Sequence, residues 1–244
     1  MPAAPGAEPG GSELGDDLVV AVAACLPLVL FALTERRLAG VPGFPLDDSW
    51  IHLHFARNIA EGAGFSYNPG VPVAGSTAPL WTLLLALGVV AFGSSVAMVK
   101  AIGAVTALGA TIMVRRAATA WGASRPGALG ATIGLAWTGA MAWGALSGME
   151  VTLAALLVAV SLFAHARGHD FWTALCAVLA AVARPEALIL VPLLVVARPL
   201  TMRRALLFAG VTVVGLAPAV GFSLATVGSP VPATASAKVE GGLL

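Results

Sequence analysis

Charge is what this chain has least of. Only 10% of its residues are Asp, Glu, Lys or Arg, against roughly 25% in a soluble domain. With 59% hydrophobic residues and a mean hydropathy of +0.93, that scarcity excludes a soluble core wrapped in a solvated face. A net charge of +1 offers nucleic acid no electrostatic footprint, so no nucleic-acid partner is expected. The two cysteines, Cys25 and Cys176, lie inside apolar runs without a C-x-x-C spacing. That argues against disulfide and cysteine–metal roles and leaves them as small core residues. The N-terminal stretch lacks the positive region of a secretory signal. Internal repeats are missing too, since D-D-S-W and R-P-E each occur once.

What is present is apolar sequence in long runs: 18–33, 79–92, 96–114, 126–146, 151–166, 171–183, 187–197 and 205–227. A span needs about 20 apolar residues, so the fold class is all-α, a polytopic transmembrane helical bundle. Residues 1–16, rich in Gly, Pro, Ala and acid, are expected as a disordered tail, with 17–244 as the membrane domain. The run 79–92 is short and opens with Pro79, so it should re-enter or lie along the surface. Arg184-Pro185-Glu186 breaks 171–197 into two half-length helices.

Basic residues cluster at Arg115-Arg116 with Arg125, at Arg167, and at Arg198 with Arg203-Arg204. The positive-inside rule puts all three clusters on one side. Asp47, Asp48, Glu150, Arg184 and Glu186 then reach the opposite, outer face. The inner loops hold almost no acid beyond Asp170.

In so apolar a chain, adjacent carboxylates at Asp47-Asp48 suggest a site for a cation, a proton or a sugar hydroxyl. The plainer reading is a helix N-cap, opening an amphipathic juxtamembrane helix that runs to about Ala60. On that helix Asp47, Ile51, His54 and Asn58 share one stripe, and Asp48 and His52 share another. His52 and His54 therefore point apart, unlike a metal pair. They are either interfacial histidines or substrate ligands. Arg57 and Glu61 have the spacing of a surface ion pair. The 64–70 loop, G-F-S-Y-N-P-G, has turn chemistry, and Trp81 is placed like an interfacial anchor. Glu150 in G-M-E reads as a loop glutamate or a site residue. Arg184-Pro185-Glu186 reads as a broken helix lining a site or as an ion-pair staple. Arg184 and Glu186, two apart, would not face each other on a helix. The adjacent carboxylates need a counter-charge, and Arg184 is the basic residue expected to approach them.

In order, D-D-S-W-I-H-L-H-F-A-R-N (47–58), G-F-S-Y-N-P-G (64–70), G-S-T-A-P-L-W (75–81), G-M-E (148–150), R-P-E (184–186) and G-S-P-V-P-A-T-A-S-A-K (228–238) form a pattern. It resembles the bacterial multi-pass glycosyltransferases of the C-type membrane fold, nearest in pattern to terminal arabinofuranosyltransferases of actinobacterial cell walls. The resemblance covers about 18–240. It implies a bacterial plasma-membrane enzyme with an outward-facing site. The partners it implies are a polyprenyl-phosphate-linked sugar donor, a glycan or lipid acceptor, and membrane lipids. An aspartate of the first outer loop would be the general base, which falls on Asp47 and Asp48. Asp48 would orient the acceptor or, with Asp47, hold a divalent cation; no other cofactor is implied.

The leaving group would be a phosphate, and Arg184, with Lys238, is the candidate to stabilise it. Glu150 and Glu186 would orient the arginine or bind sugar hydroxyls, and His52 and His54 are candidate substrate ligands. The family's P-N-T-x-x-A-K loop reads Pro232-Ala233-Thr234-Ala235-Ser236-Ala237-Lys238 here, without the Asn. Family members continue with further helices and an outer soluble domain, so this chain is expected to be an N-terminal part. The rival classes are a transporter or flippase-like subunit and an inactive fragment. A transporter is expected to show the internal repeats that are missing here.

Overall fold

The computed structural model describes residues 10–230 and 232. Among them the chain is all-α, with no strand beyond an isolated bridge between Ser66 and Pro72. The first helix, α1 (Gly10–Ala39), begins well before the expected Leu18, so residues 10–16 are helical and not tail. The reason is long-range pairing. Asp16 and Asp17 are buried, and they meet Arg115 and Arg116 of α4 (Val96–Ala120) and Arg125, which opens α5 (Arg125–Ala136). Arg115 Nε donates to Asp17 at 2.8 Å, Arg125 Nη2 donates to Asp16 at 2.7 Å, and Arg116 also pairs with Asp17. The basic end is therefore not as poor in acid as the loops alone imply.

Side-chain contacts trace the path of the bundle. α4 and α7 (Val151–Arg167) run in the same direction. Thr106 and Thr152 hydroxyls lie 2.7 Å apart near one end, and Trp121 stacks on His165 at 5.5 Å near the other. α8 (Asp170–Ala183) returns, with Ser161 Oγ donating to the Thr173 carbonyl at 2.8 Å. The 3-10 turn Pro185–Ile189 and α9 (Leu190–Val196) come back, and α10 (Met202–Val227) closes the bundle. Arg204 donates to the carbonyls of Val195 at 2.7 Å and Leu194 at 2.5 Å. It thus satisfies acceptors that the end of α9 would leave open. Phe222 meets Phe65 at 5.5 Å and Thr226 Oγ1 accepts from Ala74 N at 3.2 Å. These two contacts tie the far end of α10 to the connection after α2 (Asp47–Ala60). One end of the bundle carries Asp47, Asp48, Glu150, Arg184 and Glu186; the other carries the three arginine clusters.

α1 from Glu13, α4 and α10 are long and apolar enough to cross a membrane. α5 and α6 (Gly139–Leu146) are bent by 56° and make a fourth if counted as one span. The run 126–146 is thus broken where a single helix was expected. Thr138 accepts from Met141 N at 3.3 Å as the cap of α6, and Trp137 Nε1 donates to the Ala23 carbonyl at 3.1 Å. A capping hydroxyl offers the backbone an alternative to continuing the helix.

α3 (Pro79–Phe92) does not traverse the bundle. Trp81, near its start, donates to the Gly148 carbonyl at 3.0 Å. Gly88, near its finish, lies against Met98 and Ile102 at the start of α4. Both ends of α3 therefore sit at the same end of the molecule. Trp81 is fully buried, a core donor where an interfacial anchor was expected.

Small residues let the helices approach closely, as apolar bundles without a water-driven core require. A Cβ on Gly103 would lie 2.0 Å from the Ala145 carbonyl oxygen, whereas one on Gly130 would meet nothing within 4 Å. Gly103→Ala should therefore destabilise the protein by ~1–3 kcal/mol through overpacking. Gly130→Ala should be neutral or stabilising by up to ~1 kcal/mol through helix propensity. Thermal unfolding of both variants in detergent checks this; equal midpoints would refute the close α4–α6 contact.

Candidate functional site

α2 has the bounds that its sequence predicts, but the aspartates do not cap it. The N-cap is Leu46, with no side-chain cap bond, and Asp47 and Asp48 form the first turn. There they favour the positive end of the helix dipole, and Asp48 N donates to Asp47 Oδ1 at 3.1 Å. From this start the two stripes of α2 diverge.

The first stripe holds a loop. His54 Nε2 donates to the Tyr67 carbonyl at 2.8 Å, and Asn58 Nδ2 donates to the carbonyls of Ser66 and Tyr67, each at 2.8 Å. The 64–70 turn is thereby fastened along α2. Between them opens a cavity of ≈ 680 Å³ lined by Asp47, Trp50, His54, Arg57 and Tyr67. Trp50 and Tyr67 are about half exposed, at 47% and 46%. Arg57 lines this cavity, and among the described residues it forms no ion pair with Glu61.

The second stripe faces inward. His52 is buried, its Nδ1 lying 3.1 Å from Ser76 Oγ and 3.3 Å from Thr82 Oγ1. Its Nε2 lies 3.7 Å from Glu150 Oε2. Glu150 is only 6% exposed, so it is not an ordinary loop glutamate. The turn that carries it is clamped from two sides: Ser49 Oγ donates to the Ser147 carbonyl at 2.7 Å, and Trp81 donates to that of Gly148. Gly148 has φ 85°, and a Cβ there would lie 2.7 Å from the Phe44 ring. Only glycine suits both demands.

Arg184 completes the cluster. Its Nη1 lies 3.2 Å from Glu150 Oε1 and its Nε 3.5 Å from Glu186 Oε2. The latter pair forms because Arg184 is extended (φ −152°, ψ 109°) and leaves the helix before Pro185, so helical spacing does not apply. Glu150, which the sequence offers as a site residue, thus meets Arg184 directly. Asp48 belongs to the same electrostatic group. Burial pushes the Glu150 carboxyl above its usual range, opposed by a backbone hydrogen bond and by Arg184, while the charges of Glu186 and Asp48 push the same way as burial. Glu150 Oε2 accepts no hydrogen bond.

Among the described residues no group of three or more His, Cys, Asp or Glu is arranged to hold a metal ion. Lys238 lies outside the described residues. Trp50, Arg57, Tyr67, Ser76 and Thr82 belong to the site although the reading of single motifs passed over them. Ser76 stands inside G-S-T-A-P-L-W, where an S-T pair before a buried helix start was the available signal. Comparisons with known protein families, curated proteins and solved structures return no match for this chain.

The raised Glu150 carboxyl has a definite linkage sign. The folded protein takes up a proton there at higher pH than the unfolded chain, whose glutamates titrate near 4.5. Its stabilising contribution is complete below that value and is lost as pH rises through the higher folded value. Glu150→Gln has no proton to lose. Its melting temperature relative to the native protein should rise as pH increases above about 4.5. A difference that stays flat, or falls, would show that burial does not dominate at Glu150.

Proposed function

We propose that this chain is a membrane glycosyltransferase, or the part of one that carries the reacting groups. It moves a sugar from a polyprenyl-phosphate donor to a glycan or lipid acceptor. The observation that carries the reading is the division of labour at the start of α2. Asp47 lines an aromatic-walled cavity, and Asp48 acts on the buried cluster that holds Arg184. Half-exposed Trp and Tyr rings beside a carboxylate and a guanidinium are the chemistry that receives a saccharide. In this reading Asp47 takes the proton of the acceptor hydroxyl as general base. The hydroxyl oxygen attacks the anomeric carbon, the bond to the phosphate oxygen breaks, and the lipid phosphate leaves with the electron pair. Arg184 meets the phosphate with a planar fork suited to two of its oxygens. Glu150 positions Arg184, and His52, braced by Ser76 and Thr82, positions Glu150.

An apolar groove of ≈ 230 Å³ between α3, α8 and α10 suits the lipid chain. Its wall includes Ser76, the partner of His52, and Val182, two residues before Arg184. In a membrane, the arginine-rich end lies in the cytoplasm by the positive-inside rule, and the α2 end faces outward. This gives an inner-membrane protein in a bacterial envelope.

Two measurements test this reading. Asp47→Asn should lower sugar transfer by 10²-fold or more, the usual scale of a lost general base, while donor-lipid binding persists. Arg184→Lys should weaken donor binding. Full transfer by Asp47→Asn, in a chain competent for transfer, removes Asp47 from the chemistry. For orientation, Val71→Cys and Ala123→Cys in a cysteine-free background should label from opposite sides of intact membranes, the first from outside. Labelling from the same side would invert or discard the topology.

A further inference from the structure

A second cavity lies at the end of the bundle remote from Glu150. It measures ≈ 890 Å³ and opens between the first turns of α8 and α10, lined by Asp170, Phe171, Trp172, Arg203, Arg204 and Leu206 among others. We infer that this cavity binds the head group of an anionic phospholipid, its phosphate on Arg203. The inference is independent of the sugar-transfer reading and needs only that the apolar helices lie in a bilayer.

Charge makes the first argument. The two connections that meet here, 167–170 and 198–204, contain Arg167, Arg198, Arg203 and Arg204 against a single carboxylate, Asp170. Three of the four arginines are engaged. Arg204 is buried, with Nε on Asp170 at 3.1 Å and its other nitrogens on the α9 carbonyls. Arg198 donates to the His165 carbonyl, and Arg167 lies over the Phe163 ring at 5.4 Å. Arg203 is exposed and has no ion-pair or hydrogen-bond partner for its side chain among the described residues. Asp170 is occupied by Arg204 and cannot neutralise it. At the same end, by contrast, Arg115, Arg116 and Arg125 are matched by Asp16, Asp17 and Glu13. The surplus positive charge is thus localised at this cavity.

The walls make the second argument, which selects a lipid over a soluble phosphate. Phe171, Trp172 and Leu206 are 48%, 57% and 64% exposed. A free phosphate would leave that apolar surface bare, whereas the glycerol and acyl chains of a phospholipid cover it. Aromatic side chains beside an arginine match the level at which head groups meet hydrocarbon. A guanidinium can grip the phosphodiester through two parallel hydrogen bonds.

The test uses the full chain in maltoside micelles. Phosphatidylglycerol, phosphatidylcholine and glycerol 3-phosphate are titrated while bound copies are counted by native mass spectrometry and the melting temperature is followed. Phosphatidylglycerol should bind and raise the melting temperature, and the other two should not. Arg203→Gln should weaken phosphatidylglycerol binding by about tenfold or more, the scale of one hydrogen bond to a charged group. Its lipid-free melting temperature should be unchanged, because the side chain is exposed. Arg36→Gln, a charge loss at the opposite end, should leave binding intact, and Trp172→Ala should weaken it. Equal binding of phosphatidylglycerol and phosphatidylcholine overturns the proposal, as does undiminished affinity in Arg203→Gln. Glycerol 3-phosphate binding as tightly as the lipid, with Trp172→Ala without effect, would assign the cavity to a soluble phosphate and also overturn it.

Discussion

A carboxylate buried at the end of an apolar bundle must be compensated where it stands, and Glu150 is that carboxylate. It begins α7, while its partners come from other elements: Arg184 from the break after α8, His52 from α2. One side chain therefore joins three segments that are far apart in sequence. A buried carboxylate without a partner is costly, and Arg184, itself partly exposed, supplies the opposing charge. That penalty gives the neighbouring features their purpose. Trp81 and Ser49 hold the turn, and the positive φ of Gly148 lets the backbone pass under Phe44. The extended conformation of Arg184 aims its guanidinium back at α7. The seat of α2 on the bundle is set by the same cluster.

The opposite end meets the same constraint with more guanidinium groups. Asp16 and Asp17 are consecutive, yet each is surrounded by guanidinium groups from α4 and α5. Arginine suits this duty because its fork engages two carboxylate oxygens and stays charged when partly buried. Once those pairs are made, the arginines left over lie on the other side of that end, toward α8 and α10. At the α2 end the balance runs the other way. Glu35, Asp47, Asp48, Glu61, Glu150 and Glu186 there outnumber Arg36, Arg37, Arg57, Lys100 and Arg184 by one. The bundle is polarised along its length by a handful of residues, since almost nothing between its ends is charged.

Local signals were legible in the sequence. The bounds of α2 and α3 and the break at Arg184 follow from periodicity, Pro79 and Pro185, and the structure reproduces them. The opposed stripes of α2 follow from helical geometry, which sends His52 and His54 to different surroundings. What could not be read depends on partners distant in the chain. The helix over 10–16 is sustained by arginines some hundred positions away, with Asp17 and Arg115 separated by 98. Glu150 looks like a loop residue until Arg184, 34 positions on, is placed beside it. Trp81 looks interfacial until its indole finds the Gly148 carbonyl. The bend at Thr138 needs both a capping hydroxyl and a hold from α1, and only the hydroxyl is visible locally.

Consecutive carboxylates in a helix point ~100° apart, so the D-D pair is not a redundancy. One side chain looks into the aromatic cavity, and the other acts on Glu150 from across the cluster. This geometry has an electrostatic consequence. A backbone hydrogen bond at Glu150 and the charge of Arg184 oppose the rise in Glu150's proton affinity, while burial, Glu186 and Asp48 promote it. An anion that drew the guanidinium toward itself would weaken one of the two influences that hold Glu150 ionised. Its unbonded oxygen already points toward His52 at 3.7 Å. The position of the Arg184 guanidinium and the charge of Glu150 are thus tied to one another, and through His52 to the seat of α2.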